Sequence, residues 1–253
     1  MITKQEVMRF AKLHELSANT IEKDYILNWI LFGISNTSEL KDSWIFKGGT
    51  CLKKCYFKEY RFSEDLDFTL KEESHLNASF LLEIFKKISQ WVYDESGIEL
   101  PIERLKFEEY NNPRGKLSVQ GTIPYIGPMQ RRSSISTIKL DLSNDELIVN
   151  NPVENQIYHP YSDKDSVTFK TYSIEEIFSE KLRALVERLR PRDLYDVIHI
   201  YNDDRWQPNC KIVKSTLIKK CNYKGVPIPS IEYLEDSGKK ADLINDWQDM
   251  LAH

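Results

Sequence analysis

The sequence predicts an α/β (α+β) fold, in which a portion of mixed helices and strands is followed by a mainly helical C-terminal portion. Three observations carry this. Segments of strand-like period lie between Ser43 and Leu147, amphipathic helical segments flank them, and the pattern turns helical after a proline- and asparagine-rich stretch. The partition expected is 1–165 for the first lobe and 166–253 for the second. With 253 residues, 41% hydrophobic and 29% charged, the chain suffices for one large or two small domains with an ordinary core.

Residues 3 to 16 and 20 to 34 have helical spacing. Asn19 or Thr20 can cap the second segment, whose Ile21, Tyr25, Ile26, Trp29 and Ile30 form one stripe. The apolar run "YILNWILFGI" is about half the length a bilayer requires and contains Asn28, so it reads as a buried helix. The charge-interrupted start "MITKQEVMRFAKLHELSANT" lacks a signal-peptide pattern, and no export is expected.

Next come the short run "SWIF", the pair Gly48-Gly49, a helical "TCLKKCYF" and the alternating "DLDFTL". The predicted order is strand, glycine turn, helix, strand. A helix fits "HLNASFLLEIFKKISQWVYDES", with Leu81, Ile84, Phe85, Ile88 and Val92 on one face and Gly97 after its end. From Ile102 to Leu147, "IERLKFEEY", "KLSVQGTIPY" and "ISTIKLDLS" read as a hairpin-like succession of strands.

The stretch "NNPVENQIYHPYSDKDS" reads as the loop between the lobes, after which the second half begins with a helix. Ser173 and Glu176 form a capping box before "IEEIFSEKLRALVERLR", which stops at Pro191. Further helices are expected at "RDLYDVIHIY", "KIVKSTLIKK" and "KKADLINDWQDML".

The net charge of −4 excludes a global positive field, but not a local basic cleft. Cys51, Cys55, Cys210 and Cys221 form no CxxC and have no histidine at metal-ligand spacing, which argues against a zinc site or a disulfide framework. Cys51 and Cys55 share a helix face as small buried thiols, and a reducing cytoplasm is expected.

In an extended strand Asp65, Asp67 and Thr69 project to one side, while Leu66, Phe68 and Leu70 pack inward. Two readings fit the doublet. It is either a solvated edge strand, or a pair of carboxylates held together by a hard divalent cation such as Mg²⁺. In "IKLDL", Asp141 takes the equivalent place and can join the doublet from a neighbouring strand. Strand-borne acids around metal ions suit phosphoryl transfer.

Gly48-Gly49-Thr50 opens a helix and offers backbone N–H groups to an anion, although an ordinary tight turn also explains it. Lys181 falls within the apolar stripe Ile174, Ile177, Phe178, Leu185 and Leu189. It must either snorkel to solvent or meet a negative partner such as a nucleoside triphosphate. Arg192 and Asp196, spaced i and i+4, read as a surface ion pair, and Asp193 as a helix-start acid. Arg61, Arg131 and Arg132 read as loop cations, solvated or directed at phosphate.

Taken together, "KGGTCLKKCYFKEYRFSEDLDFTL" and "SIEEIFSEKLRALVERLRPRDLYDVI" resemble the AbiEii family of nucleotidyltransferase-like toxins, which includes the MenT toxins and belongs to the DNA polymerase β-type superfamily. The resemblance spans about Ile21 to Tyr201. It rests on the glycine turn, R-x-S-x-D-x-D at Arg61, Ser63, Asp65 and Asp67, E-K-x-x-A-L around Lys181, and R-D-x-x-D at Arg192, Asp193 and Asp196. The superfamily's usual Gly-Ser element with a shorter spacer is replaced here by Gly-Gly-Thr, with fifteen residues from Gly49 to Asp65.

The resemblance implies a bilobed protein: a nucleotidyltransferase-fold mixed sheet with flanking helices, a mainly helical C-terminal lobe, and an NTP held in the cleft with Mg²⁺, or Mn²⁺ in its place. Asp65 and Asp67 would bind the metal, with Asp141 as the superfamily's third strand acid. Lys181 would bind the NTP phosphates, and Asp196 would be an acid required for activity. Lys47, Gly48, Gly49, Thr50, Arg61 and Ser63 would shape the nucleotide cradle. Active members add nucleotides to the 3′ CCA end of tRNA, blocking aminoacylation and translation, and are encoded beside a neutralising antitoxin. The expected partners are thus an NTP, tRNA and a cognate antitoxin, with no membrane. The alternatives are a protein-modifying, AMPylation-like nucleotidyltransferase and a non-catalytic nucleotide- or RNA-binding module.

Overall fold

The computed structural model describes residues 1–164, 166–232 and 240–251. Its backbone divides into two units, one of Met1–Asp145 with Glu154–Thr171, the other of Glu146–Val153 with the chain from Tyr172 onward.

The first unit opens with helices α1 (Lys4–His14) and α2 (Ala18–Ser35). Ser17, rather than Asn19 or Thr20, is the cap of α2, because its hydroxyl accepts from the Thr20 N–H and Thr20 already lies inside the first turn. The predicted stripe of α2 is buried, and Leu27, Leu31, Phe32 and Ile34 are buried with it, so this helix is enclosed nearly all round. Strand β1 (Trp44–Lys47) leads into the short α3 (Gly48–Cys51), which continues as a single π turn over Leu52–Tyr56. Strand β2 (Asp65–Leu70) then returns antiparallel to β1, giving the predicted strand, turn, helix, strand order.

Helix α4 (Ala78–Ser96) is capped by Asn77 and ended by Gly97 at φ 75°. Its predicted stripe, Leu81 to Val92, is buried. Strands β3 (Lys106–Asn111), β4 (Leu117–Tyr125) and β5 (Ser136–Ser143) form the expected antiparallel meander, but Ile102–Arg104 is a 3₁₀ turn and not the start of a strand. The supposed linker contains strand β6 (Val153–Gln156), and β7 (Thr168–Thr171) precedes the second unit's first helix. The seven strands lie in the order β3-β4-β5-β2-β1-β7-β6, mixed because β2–β5 and β1–β7 run parallel.

One face of the sheet carries the aromatic core. Phe68 stands 5.3 Å from Trp44, 5.2 Å from Phe46 and 5.7 Å from Phe169, ring centre to ring centre, and Phe85 of α4 lies 5.1 Å from Phe107. The π turn is pinned by a buried pair, Lys54 Nζ to Asp24 Oδ2 at 2.7 Å, which also receives the Tyr161 hydroxyl at 2.9 Å. A carboxylate with a cation and a phenol is affordable inside a protein where a lone charge is not. Cys51 is buried as expected, whereas Cys55 is half-buried and Cys210 exposed.

The second unit consists of α5 (Ile174–Arg188), α6 (Pro191–Asn202), α7 (Cys210–Lys224) and α8 (Lys240–Leu251). Lys239, at the start of the last predicted helix, lies outside the described residues. Helix α5 ends one residue before Leu189, whose φ of 43° makes it a left-handed cap, so the helix stops ahead of Pro191. Ser173 caps α5 as predicted, accepting from Glu176 N at 3.2 Å. The Glu176 carboxylate does not complete a capping box. It accepts from Val149 N at 3.1 Å and Asn150 N at 2.9 Å and pairs with Lys220 at 2.8 Å, which ties the segment Glu146–Val153 to the helices.

Candidate active site

Strand pairing sets four polar residues on one rung: Lys47 of β1 opposite Asp67 of β2, Asp67 opposite Asp141 of β5, and Asp141 opposite Gln120 of β4. Residues paired this way share a face of the sheet, so the register brings Asp141 beside the Asp65–Asp67 doublet. Asp65 stands one rung away, opposite Lys139. Gln120 Nε2 donates to Asp141 Oδ1 at 3.0 Å, which fixes that carboxylate's plane. Thr69 departs from the expectation of a projecting side chain, since only 1% of it is exposed and it belongs to the core.

The glycines meet these acids directly. Gly48 has φ 79°, and a Cβ built on it would lie 2.2 Å from Asp67 Oδ2. A Cβ on Gly49 would lie 2.9 Å from Arg61 Nη2 and 3.1 Å from Ser63 Oγ. The turn therefore needs its first glycine for conformation and both for close approach. With only four residues, α3 has little dipole of its own, so the offer to an anion is bare backbone beside a guanidinium and a hydroxyl. Thr50 is fully buried, and its hydroxyl donates to the Asp65 carbonyl at 2.6 Å, which places it as a tie between turn and strand.

Burial pushes the Asp65 carboxyl up from its ordinary value, opposed by Lys23 and reinforced by Asp141. Lys23 itself pairs with Glu64 at 2.6 Å. Like charges held this close favour a cation between them. Among the described residues no three His, Cys, Asp or Glu side chains converge as a ready-made metal cage. Two half-buried carboxylates on adjacent outward positions nevertheless fit Mg²⁺, which is held by one or two carboxylates and takes its remaining ligands from water and substrate phosphates.

Within the second unit, Lys181 is 9% exposed and does not snorkel. Its ammonium lies 2.8 Å from Asp196 Oδ2 and 3.0 Å from Asp193 Oδ1, so the chain itself supplies the negative partner. Asp196 is fully buried and faces Lys181, while Arg192 is exposed, so the surface pair expected between them does not form. Asp193 is likewise buried, and Arg188 grips it through Nε at 2.6 Å and Nη2 at 2.9 Å. Burial works against the Lys181 charge, yet Asp196 and Asp193 hold its pKa above the ordinary value. Burial likewise works against the Asp193 carboxylate, and Arg188 and Lys181 hold it below the usual range.

No motif in the sequence marks Gln120, Lys23 or Arg188. Period two in "KLSVQGTIPY" places Gln120 on the polar face, but nothing local marks its partner strand. Arg132 pairs with Glu99, its Nη1 lying 3.0 Å from Oε2, and Arg131 is half-buried.

The sequence profile of the family described as "Nucleotidyl transferase AbiEii toxin, Type IV TA system" matches residues 29–253. No curated protein matches the chain. Among solved structures, the fold is similar to MenT4, a nucleotidyltransferase toxin from Mycobacterium tuberculosis H37Rv, with TM-score 0.54 and 15% identity over 99% of both chains. It is also similar to JHP933 from Helicobacter pylori, with TM-score 0.53 and 17% identity over 94% of this chain and 97% of that one.

Proposed function

The chain belongs to the AbiEii family of nucleotidyl transferase toxins of type IV toxin–antitoxin systems, and from that premise we propose that it transfers a nucleoside monophosphate from an NTP to an RNA hydroxyl, the 3′ acceptor end of tRNA. The observation that carries this reading is the rung Lys47–Asp67–Asp141 set against the Gly48-Gly49 turn. A module built only to bind phosphate gains nothing from carboxylates on the strand face that meets the turn.

In this reading Asp65 and Asp67 hold the metal, with Asp141, oriented by Gln120, as a third acid on the same face. Held by these residues, Mg²⁺ would supply positive charge to neutralise the triphosphate and polarise the attacking hydroxyl. Arg61 and Ser63, beside Gly49, donate to phosphate oxygens, and Lys47 adds a cation next to Asp67. The hydroxyl oxygen forms a bond to the α-phosphorus in line with the breaking α–β bridge, its proton passes to solvent, and pyrophosphate leaves. Lys181 is assigned to the triphosphate and Asp196 to the activity through Lys181. The proposed partners are an NTP, tRNA and a cognate antitoxin, and the proposed setting is the cytoplasm. No helix among the described residues is long and apolar enough to cross a membrane.

Incubation with labelled NTPs, Mg²⁺ and total tRNA tests the reading. Label is expected in RNA with the wild type and reduced at least about 100-fold in Asp67→Ala, the upper range for disturbing a metal site's supporting groups. Label on a protein band would favour protein modification instead, and an unlabelled RNA pool would contradict the proposal.

A further inference from the structure

Helix α7 departs from the charge pattern of α1, α5 and α6. Its fifteen residues carry five lysines and no acid, and from Arg205 to Ile231 the chain has six basic residues and no acidic one, although its net charge is −4. Helices α1, α5 and α6 place acids in their first turns, where the macrodipole favours them, whereas α7 places Lys211 there. Lys211 and Lys214 are also like charges at i and i+3, a mildly destabilising arrangement.

The lysines divide by face. Lys220 is buried and paired with Glu176, and Lys224 pairs with Glu146 at 3.1 Å. Lys211, Lys214 and Lys219 are exposed on the opposite face and form no ion pair among the described residues. From Lys211 to Lys219 the helix advances about 12 Å. The same exposed face carries Ser215, Asn222 and Tyr223.

We propose that this face of α7 docks the phosphodiester backbone of the RNA substrate. The inference rests on the reading of RNA as acceptor and adds the surface that holds it. Charge complementarity selects a polyanion, and lysine with serine, asparagine and tyrosine is the donor set that contacts phosphate and sugar. An acidic protein fits less well, because protein interfaces are depleted in lysine, and here three exposed lysines outnumber the exposed apolar side chains of Ile212 and Tyr223.

The test is equilibrium binding of tRNA to the full chain across salt concentrations of about 50 to about 200 mM. Lys211→Gln/Lys214→Gln/Lys219→Gln keeps helix propensity nearly constant. It is expected to raise the Kd about tenfold or more at low salt and to reduce the log–log salt slope by about 2–3, near 0.7–0.9 per phosphate contact. Lys4→Gln/Lys12→Gln/Lys87→Gln, with the same charge change on exposed lysines elsewhere, is expected to bind as the wild type. Unchanged binding in the α7 variant overturns the proposal. So does equal weakening in both variants, or a wild type that does not bind RNA. Nucleotide incorporation measured on the same samples separates the two claims: RNA held through α7 but never labelled would contradict the transferase reading alone.

Discussion

Gly48→Ala is expected to lower nucleotide transfer by about 100-fold or more while the protein still folds. Two costs coincide at this position. At φ 79° an L-residue loses about 1–2 kcal/mol in the left-handed region. The added methyl would also sit 2.2 Å from Asp67 Oδ2, with further atoms of the same side chain at 2.9 and 3.1 Å, so the carboxylate must swing away from the turn. A displacement of about 1 Å at a reacting centre can cost about 100-fold. Gly115→Ala separates the two effects, because Gly115 has φ 73° but nothing within 4 Å of its would-be Cβ. It should lose about 1–2 kcal/mol of stability and keep its activity. Steady-state kcat/KM and thermal unfolding of both variants check this, and equal activity losses would show that Asp67 is not the cause.

Lys181→Met is expected to destabilise the protein by about 3–5 kcal/mol, because it leaves Asp193 and Asp196 buried without their common cation. Arg188 still grips Asp193. A second replacement, Asp196→Asn in the Lys181→Met background, should restore part of the stability by removing one of the two buried negative charges that Lys181 balanced. The wild-type cluster also fixes an acid limit. With its folded pKa below the unfolded value of about 3.9, Asp193 contributes stability that is present above that value and lost as pH falls through the folded one. Lys181 has the opposite sense: its contribution is present below about pH 10.4 and lost as pH rises through its elevated folded value. Denaturant unfolding at neutral pH, at about pH 3 and above about pH 10.4 measures these effects. A Lys181→Met midpoint equal to the wild type at neutral pH would contradict the assignment.

The elements legible in the sequence were those with sustained periodicity. α2 and α4 bury the residues their patterns marked, as does α5 apart from the half-buried Phe178, and the alternation in "DLDFTL" and "IKLDL" puts Asp65, Asp67 and Asp141 on polar faces. What alternation cannot state is which strand lies beside which. The parallel pairing of β2 with β5 arises only in the folded sheet, and it sets Asp67 opposite Asp141. Strands β6 and β7 escape because each four-residue segment carries a single apolar side chain, Val153 or Phe169, where the equally short β1 carries three. The helices of the second unit are legible, but their ion pairing is not. Charges at i and i+4 along α6 suggest each other as partners, whereas the buried partner of Asp196 is Lys181 on α5, a pairing between helices that no single-helix rule exposes.

Catalysis of nucleotide transfer to RNA by the Asp65–Asp67 face is best tested by the intact mass of tRNA after incubation with the four NTPs and Mg²⁺. A gain of one or more whole nucleoside monophosphates at the 3′ end is expected with the wild type and none with Asp67→Ala. An unchanged tRNA mass with the wild type, or an equal gain with Asp67→Ala, would contradict it.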